Sequence, residues 1–238
     1  MEKINLTKFI ADNSNYSRRQ AEVLIKKGFV IIDGKTAKLG EKANNRNEVS
    51  INGEKIKTET NKIYIKLNKP SGYVCSNKSF ANELNIFSLV KIKERLFSIG
   101  RLDKDSCGLI ILTNDGDLTY NLTHPKFEHQ KTYLITLKKD FRLKNNNFIR
   151  DLENKFQKGI DIGEKTLAKV KEIIFLSEND IKIILAEGKK RQIREMFKIF
   201  DLRIERLQRV NFAGVGLGSL KEGEWEYLSK DEINKLKK

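Results

Sequence analysis

The chain has 238 residues, 39% of them apolar and 33% charged, and its 47 Lys and Arg outnumber 32 Asp and Glu for a formal charge of +15. That excess points to an anionic partner, nucleic acid first among the candidates. Two distant cysteines, two histidines and no apolar run approaching a membrane span argue against a disulfide framework, a structural zinc site and a transmembrane helix.

The N-terminal "MEKINLTKFIADN" carries charges where a secretory signal needs an apolar stretch, so a soluble cytoplasmic protein is expected. Residues 1–57 read as a compact block. Ser17 with Gln20 three residues on is a capping-box signature, and Ala21, Leu24 and Ile25 follow at helical spacing until Gly28. Arg19, Glu22 and Lys26 share the opposite face. "FVIIDGKTA" then turns at Asp33-Gly34, and "VSINGEKI" supplies another short hairpin. "KTETN" is polar and without periodicity, a linker expected over residues 58–62.

A second block, residues 63–238, opens with "IYIKLNKPSG", a strand closed by a turn at Lys69-Pro70-Ser71-Gly72. Further strands are predicted at Leu109–Leu112, 131–137, 167–176, 181–188 and 202–210, with helices near 145–156 and 190–200. Strands in non-repeating order with intermittent helices predict an α+β fold.

Three segments could carry chemistry. In "IGRLDKDSCGLIILTNDGDL" the acid Asp103 stands between Arg101 and Lys104 at the entrance to an apolar strand. "DKDSCG" begins like a calcium loop, but Cys107 takes the fifth position and Asn114 the twelfth, where such a loop needs oxygen ligands and a bidentate Glu. What remains is an acid in a basic, partly buried turn. It is either a structural ion pair or a carboxylate kept ionised for use as nucleophile or base. In "EGKKRQIREMFKIF", a helix from Lys190 would bury Ile193, Met196, Phe197 and Phe200 and align Arg191, Arg194 and Lys198 on a neighbouring stripe. That stripe is a solvated basic face or a phosphate edge with one arginine free to meet a buried acid. In "KTYLITL", Tyr133 shares a strand face with Ile135 and Leu137, as a core tyrosine or as a stacking and proton-transfer group.

Taken together these segments resemble the RsuA-like family of bacterial rRNA pseudouridine synthases. "GRLDKDSCGLIILTNDGDL" resembles its catalytic motif, and "KLNKPSGYVCS", "HPKFEHQKTYLITL", "EGKKRQIREMF" and "LQRVNFAGVGLGSLKEGEWEYLSKDE" follow its other motifs in order. "SRRQAEVLIKKGFVIIDG" resembles the S4 RNA-binding domain that this branch carries at its N-terminus. The resemblance implies an S4-like domain over 1–57, then a synthase domain over 63–238 with a central mixed, largely antiparallel sheet flanked by helices. It also implies isomerisation of uridine without a cofactor or metal: the N1–C1′ bond breaks and the base rejoins through C5.

On that resemblance Asp103 is the essential aspartate, as nucleophile or as an aid to elimination, and Arg194 is the cation that ion-pairs with it. Tyr133 is the active-site tyrosine. Arg101 is the side chain inserted where the uridine flips out, a step that costs a few kcal/mol of unstacking. Lys66, Lys69, Lys189, Lys190 and Arg191 lie in basic motifs suited to phosphate contacts, and Ser17, Arg18, Arg19 and Lys26 to a separate docking surface for rRNA. Glu195 departs from the family, many members of which have a second arginine there. The expected partner is ribosomal RNA or a ribosomal precursor particle, met by a monomer, with the large subunit slightly preferred over the small. Two competing readings are a catalytically silent RNA-binding assembly factor and a metal-dependent phosphoesterase using "DKD" and "NDGD".

Overall fold

A computed structural model describes the protein over residues 2–58, 61–77, 82–138 and 146–238. It divides into two compact units, one of Met1–Ile63, Ile92–Leu96 and Asn114–Gly116, the other of Tyr64–Lys91, Phe97–Thr113 and Asp117–Lys238.

In the first unit β1 (Ile4–Asn5) leads into α1 (Leu6–Asn13), followed by α2 (Arg18–Lys26). The capping box forms: the Ser17 hydroxyl accepts from the Gln20 amide while the Gln20 side chain accepts from the Ser17 amide. Gly28, at φ 75°, ends α2. Five short strands follow, β2 (Val30–Ile32), β3 (Lys35–Thr36), β4 (Lys42–Ala43), β5 (Val49–Ile51) and β6 (Glu54–Lys55). β2 and β3 turn at Asp33-Gly34, and β5 and β6 at Asn52-Gly53, all four residues at positive φ, as two-residue hairpins require. Leu6, Phe9, Ile10, Ala21, Ile25 and Val30 form the buried core of this unit. Two short segments that sequence order places in the second block belong here. The Asn114 side chain accepts from the Ile63 amide at 2.8 Å, and the Arg95 amide donates to Asn15 Oδ1 at 3.0 Å. Of the expected linker, residues 59 and 60 lie outside the described residues.

The second unit begins with β7 (Tyr64–Lys69), and β8 (Tyr73–Val74) pairs with β9 (Leu84–Asn85). β10 (Phe97–Ile99) and β11 (Cys107–Thr113) flank the loop that carries Asp103. Then come α3 (Gly116–Thr123), β12 (Lys131–Leu137), α4 (Asn146–Lys158), β13 (Glu172–Phe175), β14 (Asp180–Leu185) and α5 (Gln192–Ile199). β15 (Ile204–Phe212), β16 (Val215–Gly216), β17 (Trp225–Tyr227) and α6 (Lys230–Leu236) complete it.

Apart from the parallel β8–β9 pair, the strands form one mixed sheet in the order β13-β14-β12-β15-β11-β7-β17, with β10 added to β11 and β16 to β15, antiparallel except between β11 and β15. This agrees with the α+β expectation. Every residue of β7 and β11 is buried, because the sheet centre is covered on both faces; hence the unbroken apolar run of β11. Tyr133, Ile135 and Leu137 join α4 and α5 in one core, in which Phe156 and Phe197 stack edge-on at 5.1 Å. Ile99, Leu109 and Ile111 form a second core with α3 and α6.

Three elements differ in extent from their predicted spans. The helix placed at 145–156 spans Asn146–Lys158, position 145 lying outside the described residues, and the helix placed at 190–200 begins at Gln192. Of the strand placed at 167–176, only Glu172–Phe175 is one, since Ala168 bridges back to Ile160 instead.

Candidate active site

The Asp103 loop is tied down from beneath by one buried ammonium group. Lys69 is fully buried, and its Nζ donates to the carbonyls of Pro70 (3.0 Å), Lys104 (3.3 Å) and Ser106 (2.5 Å). The Gly72 amide donates to the Lys104 carbonyl at 2.7 Å, and the Ser106 amide turns back to the Asp103 carbonyl at 3.1 Å. Burial pushes the Lys69 ammonium pKa down, against the opposing pull of Cys75, Cys107, Asp105 and Asp103. Lys69 is therefore a clamp on the loop and not the phosphate contact expected of it.

Above this clamp two acids meet two guanidinium groups. Arg191, in the left-handed region at φ 50°, stands at the N-terminus of α5 and reaches Asp105 (3.1 Å) and, more loosely, Asp103 (3.9 Å). Arg194 Nε lies 3.2 Å from Asp105 Oδ2, and its Nη2 donates to the Asp105 carbonyl at 2.9 Å. The expected Arg194–Asp103 pair is thus corrected. Asp105 presents both its carboxylate and its carbonyl to Arg194, leaving Arg191 as the cation beside Asp103. The partly buried turn expected around Asp103 leaves its side chain 40% exposed. Asp105 thus has the structural contacts, and Asp103 keeps an accessible carboxylate.

Burial works to raise the Asp105 pKa, but the hydrogen bond from Arg191 and the charges of Arg194 and Arg191 outweigh it and hold the carboxyl below its usual value. The unfolded chain therefore takes up this proton first on acidification. The stabilisation is complete above the ordinary Asp value of about 3.9 and is lost as pH falls through the lower folded-state value. Thermal melts from pH 6 to pH 2 should show a steeper acid loss for the wild type than for Asp105→Asn; parallel curves would refute the linkage.

Tyr133 lies on a transverse row of the sheet. Ile183 pairs with Tyr133, Tyr133 with Arg209, Arg209 with Gly108, and Gly108 with Lys69. In-register neighbours share a face, so Tyr133, Arg209 and the Lys69 clamp line one side of the sheet. Gly108, at φ 101°, is required here: a Cβ would stand 2.2 Å from the Arg209 carbonyl oxygen.

The remaining expected site residues divide. Lys66 is buried and paired with Glu226 (2.9 Å) and Glu232 (2.8 Å), so its phosphate role is corrected too. Lys189 pairs with Glu187 and donates to the Leu167 carbonyl, which also engages it internally. Arg101 and Lys190 are exposed. In the first unit Arg18 and Arg19 are exposed, and Lys26 pairs with Glu22 at 2.7 Å on the open face of α2. The Ser17 hydroxyl is consumed by its cap, a correction to its RNA-binding role. Beside Arg194 an open cavity of about 410 Å³ is lined by Lys138, Lys198, Asp201, Leu202, Arg203 and Ile204. Sequence reasoning missed Asp105 and Arg209. Arg209 had a signal, because period-two alternation sets it in phase with buried Leu207. Among the described residues, no three of His, Cys, Asp or Glu are grouped as metal ligands would be.

The family model described as RNA pseudouridylate synthase matches residues 63–198. An "Uncharacterized RNA pseudouridine synthase" of Borreliella burgdorferi is 36% identical over 96% of this chain and 91% of its own length. "Ribosomal large subunit pseudouridine synthase B" of Bacillus subtilis is 33% identical over 98% and 95%. A solved pseudouridylate synthase superposes with a TM-score of 0.70 at 32% identity, over 98% of this chain and 99% of that one.

Proposed function

This chain belongs to the RNA pseudouridylate synthase family, and we propose that it isomerises a specific uridine of ribosomal RNA, in the large subunit. The observation that carries the reading is the accessible Asp103 carboxylate. It stands beside Arg191 on a loop clamped by Lys69, in a unit whose sheet also presents Tyr133. Asp103 acts at the sugar and Tyr133 packs on the extruded base, while Arg101, exposed at the start of the loop, fills the gap the uridine leaves. The cationic cavity beside Arg194 takes flanking phosphates, which position RNA without reading its sequence. The large-subunit preference is supported by the printed name of the Bacillus subtilis relative. The test is to incubate the purified protein with transcripts of both rRNAs and map pseudouridine. One site in the large-subunit RNA is expected; none in either RNA would overturn the reading.

The N-terminal residues 1–57 belong, in this reading, to an S4-type domain of an RsuA-like enzyme that acts in the cytoplasm as a monomer. Its exposed Arg18 and Arg19 dock RNA apart from the site of chemistry. Charge reversal at both should reduce the slope of log K against log salt by roughly 1.5, at about 0.7–0.9 per phosphate contact. Turnover of a saturating short substrate should stay unchanged. An unaltered slope would show that this helix meets no phosphate.

A further inference from the structure

Arg209 is a buried cation whose hydrogen-bonding capacity is not filled among the described residues. It is 2% exposed, its Nε donates to the Leu109 carbonyl at 2.8 Å, and its Nη2 has no hydrogen-bond partner among them. Its guanidinium lies 5.3 Å from the Phe212 ring, and no carboxylate pairs with it among the described residues. The cations around it add to the charge. Lys131 Nζ lies 6.0 Å from the same ring, and burial, followed by the charge of Arg209, pushes its pKa down against the pull of Glu187. Lys69, also buried, has only carbonyls as hydrogen-bond partners among the described residues. An uncompensated buried charge is destabilising, and so is a buried donor left unpaired. Both features are relieved by an anionic or carbonyl-rich ligand at this face. Arg209 is in register with Tyr133 there, and Gly108 on its other side places no side chain.

Resting on the pseudouridine synthase reading, we propose that Arg209 Nη2 donates to a carbonyl oxygen of the extruded uracil and stabilises the charge the base acquires. When the N1–C1′ bond breaks, its electron pair leaves with the base, so the uracil carries negative charge spread over N1, O2 and O4. C5 then bonds to C1′ and gives up its proton, and N1 takes one, so that the product has the composition of the substrate. The charge on the base passes through a maximum between the two steps, whichever role Asp103 takes at the sugar. A fixed donor in a water-poor site acts on such charge with little reorganisation, and losing one costs about 10²–10³-fold in rate.

The experiment is single-turnover conversion of the rRNA fragment the wild type modifies, carrying uridine, 2-thiouridine or 4-thiouridine at the target. Sulfur accepts hydrogen bonds poorly, so it removes one acceptor at a time. Arg209→Lys, which keeps the positive charge, should be about 10²-fold slower on uridine. Its deficit should shrink to a few-fold on one of the two thio substrates, the one whose oxygen Arg209 contacts. Arg209→Met should show the same coupling. A lysine variant as fast as wild type, or equal deficits on all three substrates, overturns the assignment. Should neither variant fold, the wild type decides alone, since equal rates on all three substrates exclude a bond to either oxygen. A wild type inactive on every rRNA fragment would instead sink the underlying function.

Discussion

Asp103→Asn is expected to lower pseudouridine formation about 10⁴-fold or more, the scale on which losing a reacting side chain acts, while RNA affinity and melting temperature hold. The separation between the two effects comes from the contacts. Asp103 faces Arg191 at 3.9 Å, with both side chains about 40% exposed. Such a pair is worth about 1 kcal/mol or less, too little for instability to account for a large loss of rate. Asp105 two residues on is the control: it meets Arg191 and Arg194 through its carboxylate and Arg194 again through its carbonyl. Asp105→Asn should therefore lower the melting temperature and reduce activity only in part, by loosening Arg191 and the loop. Quantifying pseudouridine in RNA incubated with each variant, beside a melting curve, distinguishes the two acids. An Asp103→Asn enzyme with near-normal turnover would leave an RNA-binding protein whose chemistry lies elsewhere.

Gly108→Ala is the substitution with the largest expected effect on stability. The residue lies where parallel strands β11 and β15 meet. Its φ of 101° is one that side chains rarely adopt, and the added Cβ would stand 2.2 Å from Arg209 O and 2.7 Å from Arg209 N. Those are backbone atoms in a sheet, with no rotamer to move aside. The cost should reach about 4–5 kcal/mol, the range of exceptional single substitutions. At roughly 2–4 °C per kcal/mol for a chain of this size, the melting temperature falls by about 8–20 °C. Gly163→Ala is the comparison, since Gly163 also has positive φ but an added methyl there would meet nothing within 4 Å. It should cost only about 1–2 kcal/mol, the ordinary left-handed penalty. Equal losses at the two glycines would mean that the backbone angle matters and the close approach does not.

The parts legible in the sequence were those fixed by neighbours along the chain. The Ser17–Gln20 cap, the alternation of Tyr133, Ile135 and Leu137, and the apolar run of β11 each follow from spacing over a few residues. The α6 cap, with Ser229 three residues before Glu232, was equally visible and went unread. Asp103 stood out because an acid amid basic residues at the mouth of a buried strand is unusual in a chain this positive. Its partner could not be chosen in the same way. Arg191 and Arg194 lie on adjacent turns of one short segment, and which of them meets which acid depends on how α5 seats against a loop some 90 positions earlier.

By itself, then, the sequence determined the local elements, the mixed α+β class and the basic character that calls for an anionic partner. Tertiary structure alone decided which charges are spent inside the protein. Lys66, Lys69 and Lys189 look like phosphate contacts as letters, yet each is engaged by carboxylates or carbonyls within the fold. It also decided that Gly108 must lack a side chain and that Arg209 lies beside Tyr133 with a donor unfilled. The physical reason is that local propensity depends on near neighbours in sequence. The burial of a charge, and the partner it then needs, depend on strands brought together from positions about 100 residues apart.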